Sequence, residues 1–173
     1  MTGLKTPTDP PPSIARQHSP ERERPLASYG VLMGTFSSLA VAFATWFRRS
    51  GRELPDRIDP GDLALLTVAS HKAARMVTKD RVTSVVRAPF TRFGHDAGPG
   101  EVNESARGRG LQRAIGELLV CPYCLGMWTS AALTASLLVF PRFTRWCATV
   151  LTMFFGSEML QFFYHRVEES AEH

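Results

Sequence analysis

Hydrophobic side chains along this chain are gathered into blocks rather than spread evenly. Leu26 to Phe47 runs for 22 positions without a charged residue and then meets Arg48-Arg49. A helix needs about 20 apolar residues to cross a hydrocarbon core, so this block predicts a transmembrane helix. A cleaved signal sequence fits less well, because its apolar stretch is shorter, lies nearer the start and leads to a small-residue cleavage site. Leu118 to Phe140 is a second apolar block with Pro122 in its first turn. Proline is tolerated there because that amide has no helical partner. Pro141-Arg142-Phe143-Thr144-Arg145 makes a tight connection, and Trp146 to Tyr164 forms a third block, interrupted by Glu158.

A different pattern lies between the first and second blocks. Asp59-Pro60-Gly61-Asp62 is a helix start, with acidic and turn-forming residues ahead of a helical run. In Leu63 to Thr78, the residues Thr67, His71, Lys72, Arg75 and, just beyond, Lys79 gather on one stripe at helical spacing. Two readings stay open on this pattern. One is an amphipathic helix lying on the membrane surface. The other is a short span whose polar stripe faces other helices. Asp80 to Arg113 is polar and basic. Val82 to Phe90 within it is semi-apolar and suits the interface, and Gly94 to Gly110 reads as a flexible loop. Residues 1–25 hold six of the twelve prolines and few large apolar side chains. Such a segment buries too little surface to offset its chain entropy and is expected to be a disordered tail. Residues 165–173 read as an acidic tail.

Composition changes the picture only where it is unevenly placed. The chain is 44% hydrophobic and its mean hydropathy of -0.09 looks soluble, because the tail and loops dilute the apolar blocks. The net charge of +4 suits nucleic acid or an anionic membrane surface. No recognition-helix or zinc-finger pattern accompanies the basic residues, so the expected partner is the lipid bilayer and not nucleic acid. A homo-oligomer or a membrane protein partner is compatible with this. Cytoplasmic loops carry the excess of Lys and Arg, and residues 79–113 hold seven. That segment and the C-terminus are therefore expected in the cytoplasm, with the turn at Pro141 outside, in a multi-pass inner-membrane protein. The linker residues Arg48, Arg49, Arg52 and Arg57 argue against a fourth span.

Two residue blocks carry a resemblance. Ala74-Arg75, Thr78-Lys79-Asp80-Arg81-Val82-Thr83 and Arg87-Ala88-Pro89-Phe90 form the first. Glu117-Leu118-Leu119, Cys121-Pro122-Tyr123-Cys124, Gly126 and Trp128 form the second. In order and spacing, over roughly residues 62–164, they resemble the small bacterial membrane proteins catalogued as domain of unknown function 1360. The resemblance implies a bacterial or phage origin and a helix before Arg75 that enters the membrane. It implies no activity. Lys72 and His71 make that helix more polar than the family pattern. With the resemblance, the expected fold is an all-α, polytopic membrane helical bundle of three to four spans, four being favoured.

Two constellations bear on chemistry. Cys121 and Cys124 form a Cys-Pro-Tyr-Cys pair at a helix start, where the helix dipole favours a thiolate. The motif looks like the glutaredoxin active site over four residues only, and a redox fold of that kind needs a strand before it and a βαβ setting. A zinc site on the same pair falls short of four ligands unless His71, His95 and Asp96 or another subunit complete it. The remaining reading is structural: a helix start where small thiols pack, Gly126 permits close approach and Trp128 anchors at the interface. Cys147 stands alone in an apolar helix as a small core residue. In the second, Glu158, His71 and Arg75 match in depth within the apolar blocks, and charges there pair or line a pathway. A structural pair is expected. The functional expectation is a structural or partner-binding membrane component with a basic cytoplasmic face, not an enzyme and without a cofactor. The alternatives are a membrane thiol–disulfide oxidoreductase using Cys121 and Cys124, and a small pore-forming or phage lysis protein.

Overall fold

The computed structural model describes residues 26–98 and 100–171. The proline-rich tail anticipated over 1–25 and the last two residues of the acidic tail lie outside the described residues. Helix α1 spans Leu26–Arg49, and its last turn carries Arg48 and Arg49, the charge sign that suits a helix C-terminus. Helix α2 spans Pro60–Lys79. Its N-cap is Asp59, whose side chain accepts from the Gly61 and Asp62 amides at 2.7 and 3.3 Å, and Pro60 occupies a first-turn position that needs no amide donor. The short helix α3, Ser84–Arg87, leads into an antiparallel hairpin of β1, Thr91–Gly98, and β2, Glu101–Ala106. Helices α4, Gly110–Val120, and α5, Pro122–Val139, meet at Cys121. Helix α6 spans Pro141–Ala171.

The four long helices lie side by side, with α2 packed against both α5 and α6. Asp62 meets Arg145, the Leu65 carbonyl meets Thr152 and Lys72 meets Glu158, so α2 and α6 run in the same direction. Asp62 lies near Leu137 and Leu138 at one end, whereas Ser70 meets Thr129 and Ser130 further along, so α5 runs the opposite way. Helix α1 runs with α5: Tyr29 donates to Glu117 beside the start of α5, and Phe36 sets its ring edge 5.1 Å from Trp128. The hairpin lobe is inserted between α2 and α5 at the end where α1 begins.

Small residues form the buried seams. Ala69, Ala74, Ala114 and Ala148 are buried, which lets the helices approach closely, and Ser70, Thr78 and Thr144 are buried with hydrogen bonds made. The large apolar side chains mostly face outward: Val31, Met33, Leu39 and Val41 on α1, and Val150, Met153, Leu160 and Phe163 on α6. Exposed apolar surface on this scale marks contact with lipid or another protein.

The expected all-α, polytopic bundle of three to four spans, four favoured, is corrected on two counts. A two-stranded sheet stands in the region read as a flexible loop. And among the described residues two helices, α1 and α5, are long and apolar enough to cross a membrane by length and composition. Helix α2 carries Asp62, Lys72, Arg75 and Lys79, and α6 carries Arg142, Arg145, Glu158, Arg166, Glu168 and Glu169. Those charges lower their hydropathy below that of a lone span. The hairpin escapes pattern reading because β1 is Thr-Arg-Phe-Gly-His-Asp-Ala-Gly. It has no period-2 alternation, and only Thr91 is buried.

Candidate functional site

The most heavily bonded side chain in the lobe is Arg87, fully buried at the end of α3. Its guanidinium grips Glu104 of β2 with Nε and Nη2 at 3.1 and 2.9 Å. The remaining donors reach the Val77 carbonyl at 2.6 Å, the Thr83 hydroxyl at 2.7 Å and the Asp80 carbonyl at 3.1 Å. Val77 and Asp80 lie at the C-terminal end of α2, where unsatisfied carbonyls favour a cation. Glu104 also accepts from Ser84 at 2.6 Å and Thr91 at 2.5 Å. Burial pushes its carboxyl up. The hydrogen bonds from Arg87, Ser84 and Thr91 outweigh that and hold it at about 2. One ion pair thus joins α2, α3, β1 and β2. Its donors and acceptors are consumed inside the protein, so it locks structure.

Further ties run along α2. Arg145 of α6 makes a two-pronged bond to Asp62, both contacts at 2.7 Å. That bond holds the Asp62 carboxyl below its ordinary range, against the opposing effect of burial. Lys72, 1% exposed, donates to Glu158 at 2.5 Å, lies 4.0 Å from Asp80 and sits 4.1 Å above the Phe154 ring. Burial pushes the Asp80 carboxyl up, opposed by Lys72 and reinforced by Glu158 and Glu101.

The partner of Glu158 is therefore Lys72, not His71 or Arg75. Arg75 instead clasps Glu101 of β2 at 2.9 and 2.8 Å. His71, on an exposed part of α2, lies edge-on to Phe155. Lys72 lies on the same polar stripe in sequence, but a turn of about 100° per residue separates neighbours on a helix: His71 meets α6 only at the Phe155 ring, and Lys72 is the residue that reaches Glu158. Arg87, Glu104 and Glu101 had no signal in periodicity, because they meet through the hairpin register.

Cys121 and Cys124 are free thiols. Cys121 closes α4 and caps α5, its sulfur accepting from the Cys124 amide at 3.2 Å. The residues offered to complete a zinc site are engaged apart from the pair: His95 with Asn103 at 3.1 Å and Asp96 with Arg81 at 2.8 Å. No group of three or more His, Cys, Asp or Glu among the described residues is placed to hold a metal. Beside Cys124 lies a groove of about 450 Å³, lined by Tyr29, Leu32, Met33 and Phe36 of α1, Ala114, Glu117 and Leu118 of α4, and Met127 and Trp128 of α5. Apart from the Tyr29–Glu117 bond its walls are apolar.

The model of the family described as protein of unknown function, DUF1360, matches residues 65–164, and the chain belongs to that family. It is 30% identical over 94 residues to sporulation protein YjcA of Bacillus subtilis, covering 53% of this chain and 80% of that protein. No solved structure matches the chain.

Proposed function

We propose that the protein is a membrane-associated structural or partner-binding component. In this reading α1 and α5 hold it in the bilayer, and the basic hairpin lobe faces the cytoplasm. The observation that carries the reading is the sorting of side chains. Large apolar residues cover the outside of α1, while the buried helix seams hold, beside Phe47 and Leu66, mostly alanine and hydrogen-bonded polar groups. A water-soluble helical bundle has the reverse distribution. Kinship with a sporulation protein, a name for a process and not for a reaction, agrees with a component that acts by position.

The seven Lys and Arg residues of the lobe support its placement on the cytoplasmic side. The CxxC pair serves here as a helix junction, since Cys121 spends its sulfur on a cap. Carbonate washing of membranes should leave the chain in the pellet. A reporter active only outside the cytoplasm, fused at Gly100, should stay silent. Release into the supernatant would remove the membrane reading, and strong reporter activity would reverse the orientation.

A further inference from the structure

Charge in the lobe is not balanced locally. Residues 79–113 hold seven Lys and Arg against four Asp and Glu. All four acids have basic partners within the protein: Asp80 with Lys72, Asp96 with Arg81, Glu101 with Arg75 and Glu104 with Arg87. Lys79 is taken up by Asn103 and Arg113 by Glu117. Arg92, Arg107 and Arg109 are left over. All three are exposed, and their side chains have no hydrogen-bond or ion-pair partner among the described residues.

The three arginines lie at the base of the hairpin and in the turn that follows it. Arg92 pairs in register with Ser105, which makes Arg107 its diagonal neighbour across the hairpin base. The Arg107 amide donates to the Phe90 carbonyl at 2.9 Å. Gly108 and Gly110, at φ +82° and +55°, then turn the chain through Arg109 into α4. That turn abuts the first turn of α1, where a side-chain carbon on Gly110 would touch Ser28 Oγ at 3.9 Å. The apolar groove opens beside it, at Tyr29, the next residue of α1, and at Ala114, one turn along α4. The three unpaired cations thus lie on the hairpin base and the turn that lead into the end of a groove with apolar walls, and the groove lies within the size range of small-molecule sites.

We propose that this groove and Arg92, Arg107 and Arg109 form a site for an anionic phospholipid. An acyl chain lies between α1, α4 and α5, and the phosphate is held by the arginines. The site rests on the membrane reading above, which sets the first turn of α1 at headgroup depth. Arginine suits the task because its planar fork matches phosphate oxygens.

Trp128 lines the groove and reports on it. In the full chain carrying Trp46→Phe and Trp146→Phe, purified in a zwitterionic detergent, phosphatidylglycerol with brominated acyl chains should quench Trp128. Brominated phosphatidylcholine should need a higher concentration. Each arginine near an anionic surface is worth about fivefold in affinity. The combined Arg92→Gln, Arg107→Gln and Arg109→Gln change should therefore raise the half-quenching concentration of phosphatidylglycerol on the order of a hundredfold and leave phosphatidylcholine unmoved. Raising the salt on the unsubstituted protein should erase the preference in the same way, and inorganic phosphate at equal concentration should not displace the lipid. Equal quenching by both lipids, a preference that survives the triple substitution, displacement by phosphate, or no quenching at all would each overturn the site. Carbonate washing separates this from the parent reading: a chain retained in the pellet but without headgroup preference defeats the site alone.

Discussion

Single residues settle what the paired cysteines and the buried charges do. Cys121 accepts the Cys124 amide as an N-cap, a task that a hydroxyl performs at least as well. Cys121→Ser should therefore leave thermal stability unchanged or raised, and Cys121→Ala should lower it by about 1 kcal/mol. Cys124→Ser should be neutral. Alkylation trapping in cells should find both thiols reduced, and a trapped disulfide would give the pair a redox role. Lys72 is the more exacting case. It is almost completely buried, while Glu158 keeps partial contact with solvent. Glu158→Gln leaves a buried ammonium with only Asp80, 4.0 Å away, and should cost about 2 kcal/mol, below the full cost of breaking a buried pair because Asp80 remains and Glu158 is partly exposed. Adding Lys72→Met should recover part of the loss. Strictly additive losses in thermal melts would show that the two side chains are not coupled.

At the scale of elements, the hairpin lobe depends on one carboxylate. Glu104 titrates at about 2 in the folded chain against an ordinary 4.5. A carboxylate with a depressed pKa contributes stability that is present above its unfolded value and is lost as pH falls through its folded one. The lobe should hold above pH 4.5 and weaken between there and about 2, by on the order of 3 kcal/mol. Asp62, also depressed, acts in the same sense. Asp80, which burial pushes up, acts in the opposite sense and becomes more costly as it ionises. Amide exchange across β1 and β2 measures this, and Glu104→Gln should flatten the dependence; an unchanged acid limb would mean that Glu104 is not the group responsible. The uneven legibility of the elements has the same origin. The run from Leu26 needs no partner to read as a helix, because its signal is local. The strands are held by Arg87 and Thr91 through Glu104, which reaches them only when β2 returns, so no local window contains the signal. The family blocks were legible because they are motifs in order and spacing. The pairing of Lys72 was not, because it depends on the rotation of α2 against α6.

For the whole molecule, the question is how charge and apolar surface divide between two environments. Leu39 stands midway along α1 and is exposed, and Phe93 is exposed on β1. Either residue alone looks like a solubility fault. Together with the unpaired arginines at the hairpin base, they describe a protein with an apolar waist and a wet basic end. The two positions then make opposite predictions in one experiment. In a background with Cys121, Cys124 and Cys147 replaced by serine, Leu39→Cys should resist a membrane-impermeant maleimide in intact and in permeabilised cells, because thiolates do not form in hydrocarbon. On the proposed orientation, Phe93→Cys should label only after permeabilisation. Labelling of Leu39→Cys in permeabilised cells would mean that α1 is covered by a dissociable protein partner or by water and not by lipid. Labelling of Phe93→Cys in intact cells would turn the lobe outward and leave its arginines facing a surface other than the inner leaflet.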